Sequence, residues 1–317
     1  MRRVEAGSYV ARCAALAGLL EVSAYPKPGN VHRTRDFGDT QFVHFLAGSV
    51  AIAPSMHTIA VRGHDASAGL IGWGEIGLGS QILRAVRDSQ QWQRGGNVNL
   101  GIILLLAPLA AAGGGTLLDD EGVEPRWLRR YLPEIIDSTS ADDSVDLYRA
   151  IGMSMTSQTL GESEELDVLD SSSLEEIRAR GLNLRDVFSR CSHRDSICGE
   201  WVSDFEVTFK VGFPSLKRHI EEKEDINKVV VDTFLEILSA RPDSLIIRKR
   251  GIEDANRVSR RAKEVLEAGG ATSSQGMKEL TILDSELQRA GGGLNPGTTA
   301  DLTASSIFVL LLEGWRP

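Results

Sequence analysis

Cysteine is scarce. Cys13, Cys191 and Cys198 are the only three in 317 residues, they form no CxxC pair and their number is odd. Neither a disulfide framework nor a zinc site is expected, and a reducing cytoplasm fits. Positive charge is also in short supply: 35 Lys and Arg stand against 44 Asp and Glu, a formal net charge of −9 with a pI near 5.3. That excludes general nucleic-acid binding, which needs a broad basic face. It leaves room for a small basic pocket that takes an anionic substrate.

Long hydrophobic runs are missing too. The most apolar stretch, "GIILLLAPLAAAG" at 101–113, is too short to span a bilayer and suits a buried helix, so no membrane partner is expected. The opening "MRRVEAGSYVARCAALAGLLEVSAY" is interrupted by Arg12 and Glu21 and is amphipathic. It reads as a helix of the mature protein, not an export signal. Runs that alternate at period two are few, and "DSLIIRKRG" at 243–251 is the best strand-like stretch. There is no internal repeat and no low-complexity tail.

What is present is helical periodicity. In "INKVVVDTFLEILSA", Ile226, Val229, Val230, Phe234, Ile237 and Leu238 share one face. Residues 8–24, 40–60, 79–92, 98–112, 141–159, 183–210, 252–268, 274–289 and 299–313 also read as helices, and Thr272 with Gln275 has the form of a capping box. Turn residues collect at 25–39, 113–123, 161–173 and 291–298. The fold class expected is all-α, a single-domain multi-helix bundle over 1–317. "GESEELDVLDSSS" reads as a solvated acidic loop.

The glycines Gly72, Gly74 and Gly77 have the GxGxxG spacing of a dinucleotide site, but the preceding "RGHDASAG" is not strand-like and no acidic residue stands about 20 positions on. A loop entering a helix at residue 79 is the better reading.

Five blocks carry candidate chemistry. In "EVSAYPKPGNVHR", Pro26 and Pro28 fix the backbone and Gly29 lets a ligand approach closely. Lys27, His32, Arg33 and Arg35 are followed by Asp36 and Asp39, a set that suits a polyphosphate with Mg²⁺. The same residues also read as a helix-ending loop with solvated charges and Asp39 capping the next helix. In "GGNVNLG", Asn97 and Asn99 stand at the mouth of an apolar helix, as a cap or as part of an anion site. In "DSICGEWVSDFEVTFKVGFP", Asp195, Glu200 and Asp204 form a surface stripe, hold a metal or supply a base. Arg248, Lys249 and Arg250 are a solvated run or a phosphate site. In "GGGLNPGTTADLTASSIF", Thr298 with Asp301 resembles a capping box, and the same geometry can face Asp301 and Gly297 toward a ligand.

The order of these blocks resembles that of the triphosphoribosyl-dephospho-CoA synthase family, in the manner of a divergent, archaeal-type member. "PKPGNV" and "LNPGTTADL" are the most specific matches, with Gly199-Glu200 and "GFP" at 212–214 in support. The resemblance implies an all-helical transferase in which a ribose hydroxyl of dephospho-CoA attacks the anomeric carbon of ATP's ribose and adenine leaves. By position it implies Lys27, Arg33, Arg248 and Lys249 near phosphates, with Gly29, His32, Asn97, Asn99 and Gly297 in the nucleotide site. Glu200 and Asp301 are implied as base, and Asp36, Asp39 and Glu200 as partners of Mg²⁺. Where the family has Thr-His-Lys after the Asn of the second block, this chain has Val98, Asn99 and Leu100; His32 stands where the family tends to have Asp. The expected partners are nucleotide substrates, with room for a homodimer. Two other functions stay open: a related nucleotide or phosphosugar enzyme on the same scaffold, and a non-catalytic nucleotide-binding helical protein.

Overall fold

The computed structural model describes residues 2–118, 122–155, 166–168, 170–222 and 225–317. Among them there is no strand, and the all-α expectation holds. The helices are α1 (Arg3–Ser23), α2 (Phe42–Ala51), α3 (Ala53–Ser67), α4 (Leu78–Gln91), α5 (Leu100–Thr116), α6 (Pro125–Asp137), α7 (Ala141–Ser154), α8 (Ser172–Arg180), α9 (Leu184–Ser189), α10 (Ser196–Val202), α11 (Phe213–Glu222), α12 (Ile226–Ala240), α13 (Ser244–Arg250), α14 (Ile252–Glu267), α15 (Ser274–Gln288) and α16 (Gly297–Glu313).

The centre is made by α1, α3, α5 and α16, which pack on one another. Helix α5 is buried on all sides from Ile102 to Gly115, and α16 from Leu302 to Leu312. A helix apolar all round has no wet face to present, so other helices must wrap it. Glycine sets how close they come. A Cβ on Gly114 would lie 1.9 Å from the Ala60 carbonyl oxygen, and one on Gly63 would lie 2.1 Å from that of Ala111. The α3 and α5 backbones therefore touch through two reciprocal glycines. Gly114→Ala is expected to force them apart and cost about 1–3 kcal/mol, the usual cost of overpacking; the midpoint of urea unfolding reads it.

Several local readings change. "DSLIIRKRG" is helical, because buried Asp243 accepts from Leu245 N (2.8 Å) and Ile246 N (3.1 Å) and starts α13. The expected helix 183–210 is interrupted: α9 and α10 are followed by a π-turn, Thr208–Gly212, and Asp204 and Phe205 have positive φ. Residues 40–60 split at Ile52 into α2 and α3, with Pro54 in the first turn of the second. Together Phe42–Ser67 has the length and mean hydropathy, 1.3, of a membrane span; α3 spends that apolar character against α1 and α5. The cap of α15 is Ser273, whose hydroxyl accepts from Gly276 N at 2.8 Å, not Thr272. Gly72 and Gly77 flank a short 3₁₀ turn, Trp73–Ile76, that contains Gly74, with no strand before it. Helices α6, α8 and α11 have no counterpart among the expected helices. Residues 161–165 and 169 of "GESEELDVLDSSS", and 156–159 of the expected helix 141–159, lie outside the described residues.

Cys191 and Cys198 are joined as a disulfide, against expectation. An odd cysteine count does not forbid one pair, and the turn between α9 and α10 brings these two together. Cys13 is buried and free.

Candidate active site

A cavity of about 1430 Å³ opens between the C-terminal end of α1, the loops 27–40 and 96–99, α7, α9, α13 and the start of α16. Three helix N-termini are laced together behind it. Ser244 Oγ accepts from Ser196 N at 3.2 Å and donates to Thr298 Oγ1 at 3.1 Å. Asp243, already capping α13, also accepts from Thr299 N and Thr299 Oγ1, both at 2.7 Å. The starts of α10, α13 and α16 are thereby locked in one place. Sequence reasoning passed over Asp243, although an Asp before an apolar run is the ordinary N-cap signal.

The floor is acidic and half-buried. Asp301, in the second turn of α16, lines the cavity. A Cβ on Gly101 would sit 2.1 Å from Asp301 Oδ2, so the carboxylate rests directly on the first turn of α5. No described residue donates a hydrogen bond to it. Burial pushes its pKa well above the ordinary carboxylate value, the negative charges of Glu21, Asp243 and Asp195 push it further, and the charge of Lys27 opposes them. Stability linked to such a group is fully present below the unfolded carboxylate pKa and is lost as pH rises through the folded one.

Lys27 is 1% exposed and Glu21 3%, and they form a buried ion pair. The ammonium also donates to the Glu21 carbonyl at 2.9 Å. Burial lowers the Lys27 pKa and raises that of Glu21, and each partner's charge pulls the other back. Lys27 thus reaches the cavity wall with its charge already matched. The loop that delivers it is pinned elsewhere: Gly29 N donates to Asp284 Oδ1 at 3.0 Å, Asn30 Nδ2 to the Pro296 carbonyl at 3.2 Å, and Gln288 Nε2 to the Asn30 carbonyl at 2.8 Å. The "PKPGN" turn is a tether from α1 to α15 and to the start of α16.

The rim is basic. Arg248, Lys249 and Arg250, the last turn of α13, all line the cavity. Arg248 pairs with Asp195 at 3.1 Å, and Lys249 donates to the Gly292 carbonyl at 3.1 Å. Burial, then the neighbouring Arg248, depresses the Lys249 pKa. Arg190 and Arg194 also line the cavity; their spacing in sequence, on either side of a cysteine, carried no motif.

Of the residues singled out by sequence, the structure brings Lys27, Asp39, Asn97, Asn99, Arg248, Lys249, Gly297 and Asp301 to this one cavity. Asn99, in the left-handed conformation (φ 65°), is the N-cap position of α5; its amide donates to Ser49 Oγ at 3.2 Å. Others lie elsewhere, each already engaged. Gly29 packs on Leu287 with φ 71°, so its missing side chain serves helix packing and not ligand approach. His32 is buried, 3.7 Å from Asp284. Arg33 stacks on the Tyr25 ring at 4.0 Å and donates to Asn227. Asp36 accepts from Phe42 N at 2.6 Å at the start of α2. Glu200 does not line the cavity: 1% exposed, it accepts from Val207 N (2.8 Å), Thr208 N (2.9 Å) and Thr208 Oγ1 (2.6 Å), which holds the turn before the π-turn. Asp204 is paired to Arg185. Asp301 is a floor residue, not half of a capping box. The described residues contain no cluster of three or more His, Cys, Asp or Glu able to hold a metal.

Residues 7–317 match the sequence model of the CitG family, described as ATP:dephospho-CoA triphosphoribosyl transferase. The chain is 23% identical over 302 residues to the 2-(5''-triphosphoribosyl)-3'-dephosphocoenzyme-A synthase of Escherichia fergusonii, covering 92% of this chain and 86% of that one. It is 24% identical over 297 residues to a protein of Salmonella typhi described as "Probable 2-(5''-triphosphoribosyl)-3'-dephosphocoenzyme-A synthase 1", covering 93% and 88%. A crystal structure from Archaeoglobus fulgidus, described as a triphosphoribosyl-dephospho-CoA synthase, superimposes with a TM-score of 0.60 at 27% identity over 86% of this chain and all of that one.

Proposed function

Because this chain belongs to the ATP:dephospho-CoA triphosphoribosyl transferase family, we propose that its cavity transfers the triphosphoribosyl group of ATP to a ribose hydroxyl of dephospho-CoA and releases adenine. The observation that carries the reading is that one cavity is lined both by a half-buried carboxylate, Asp301, and by a basic run, Arg248, Lys249 and Arg250. The triphosphate needs the rim: charge-assisted bonds from Arg and Lys compensate it. The reacting sugar needs the floor. As the bond from the anomeric carbon to adenine lengthens, positive charge grows on the ring, and the carboxylate below it is placed to stabilise that charge.

Asp301 also takes the proton of the attacking hydroxyl. Its lack of a donor leaves its lone pairs available, and its raised pKa brings it closer to the operating pH, where a general base works best. The new bond joins the acceptor oxygen to the anomeric carbon; the bond to adenine breaks and its electron pair leaves with the base. Asn97 and Asn99, at the start of α5, hold a ribose or phosphate oxygen.

Asp39 suits a magnesium ion carried on the triphosphate. It faces the cavity beside Lys249, with one hydroxyl neighbour, Thr40 at 3.2 Å, and Mg²⁺ commonly takes one or two carboxylates alongside phosphate oxygens. The ion would add charge neutralisation on the phosphates. Asp36 and Glu200 are spent on backbone N–H groups and do not fit that role.

The same reading treats the chain as one helical catalytic domain and the reaction as cytoplasmic. In a reducing compartment the Cys191–Cys198 disulfide would exchange with its dithiol form. Incubation of the pure protein with ATP, Mg²⁺ and dephospho-CoA is expected to release free adenine in step with acceptor consumption. ADP as the sole product, or intact ATP, rejects the reading.

A further inference from the structure

The cavity is larger than one small-molecule substrate requires. Single-ligand pockets run to about 300–1,000 Å³, and this one is about 1430 Å³. A reaction that joins two molecules directly must hold both at once. The walls also differ in kind. On elements other than the one that carries the basic rim, the lining is largely apolar: Tyr148, Ile151 and Met155 of the α7 end, Val168 beside Asp167, and Val187 and Phe188 of α9. Helix α7 packs on α4, α8 and α9, whereas α16, which carries Asp301, packs on α1, α5 and α12. Arg190 and Arg194 lie between Phe188 and Asp195 in the chain, both line the cavity, and the charge of Arg190 reaches Tyr148.

We infer that this apolar wall holds the pantetheine arm of the acceptor, with Arg190 and Arg194 facing the acceptor's diphosphate. The inference rests on the transferase reading and names the acceptor's place within it. In dephospho-CoA the chemical order is ribose hydroxyl, diphosphate, then a long arm with a gem-dimethyl group. Along the chain the lining runs in the matching order: Asp195, whose charge reaches Asp301, then Arg194 and Arg190, whose charge reaches Tyr148, then the apolar Phe188 and Val187. Adenine of ATP does not fit the same wall. It is bonded to the reacting carbon itself, with no anionic group between, so it must lie against the floor. Two cationic sets from different parts of the chain, 190/194 and 248–250, adjoin at Asp195, which Arg248 binds, and serve two polyphosphates, the acceptor's and the donor's.

Ile151 and Met155 are half-buried, line the cavity and also pack against the core, so a thermal melt first establishes that the doubly substituted protein is folded. The probe is 4'-phosphopantetheine, the arm without its adenosine. By calorimetry it is expected to bind the wild-type protein and to bind the doubly substituted protein, Ile151→Gln with Met155→Gln, about tenfold more weakly, the scale of lost apolar pocket contacts. In turnover assays it should compete with dephospho-CoA and not with ATP. The double substitution should raise KM for dephospho-CoA and leave that for ATP unchanged. Competition against ATP, or a KM shift that falls on ATP, overturns the inference, as does equal binding of the arm by both proteins. Absence of adenine release by the wild type would count against the transferase reading, and the calorimetric comparison would still decide where the arm binds.

Discussion

Replacement of Asp301 by Asn is expected to lower kcat by about 10²–10⁴-fold, the usual contribution of a positioned general base, while leaving the fold intact. The carboxylate makes no hydrogen bond to any described residue, so the swap strands no donor. Stability should move the other way. Burial and the charges of Glu21, Asp243 and Asp195 raise the Asp301 pKa in the folded state. The folded protein then holds a proton that the unfolded chain has released, and ionising the group costs stability as pH rises through the folded pKa. A neutral amide carries no such cost, so the variant should be as stable as the wild type at neutral pH, or more so. The wild-type kcat/KM profile should fall on its acidic side at a pH above the ordinary carboxylate range, and the Asp301→Asn substitution should remove that limb. Gly101→Ala offers a second test that leaves the carboxylate in place. The new methyl would meet Oδ2 at 2.1 Å and displace it, so kcat should fall with little change in KM for ATP. Loss of stability in Asp301→Asn, or normal turnover in it, would remove Asp301 from the chemistry.

The largest effect on stability is expected from Lys27→Met. The ammonium is the one cation bonded to the buried Glu21 carboxylate among the described residues. Removing one member of a buried pair leaves an uncompensated charge and costs about 3–5 kcal/mol. Chemical denaturation of the single variant should show this, and the double variant Glu21→Gln with Lys27→Met should recover most of it, because no charge is then buried alone. Equal stability of single and double variants would mean that the pair is not coupled. A solvated, phosphate-gripping Lys27 predicts the opposite pattern: little loss of stability and a large rise in KM for ATP.

The sequence made the helical architecture legible, since periodicity in segments such as 226–238 reports burial directly, and it made the cavity's parts legible as separate blocks. It misassigned what several parts do, for one recurring reason. Turn residues and charges look alike whether they face a ligand or satisfy a backbone. Gly29 and Gly212 are glycines because Leu287 and Ser306 occupy their Cβ positions. Glu200 and Asp36 are carboxylates because helix and turn N–H groups need acceptors. Lys27 is a lysine because Glu21 is buried beside it. Conversely Glu21, Arg190 and Arg194 carried no local signature that pointed to a cavity, since what they face lies in other helices. The strand-like reading of 243–251 failed because Asp243 caps a short helix whose apolar residues are buried by tertiary packing, which outweighs local pattern in a seven-residue element.

If one cavity grips ATP, its triphosphate lies on the last turn of α13 and its ribose over Asp301. A crystal structure of the Asp301→Asn protein with ATP and Mg²⁺ shows this without inference. Phosphate oxygens are expected within hydrogen-bond reach of Arg248, Lys249 or Arg250, with the anomeric carbon facing residue 301. A triphosphate bound on another surface, with this cavity holding only solvent, would refute the arrangement.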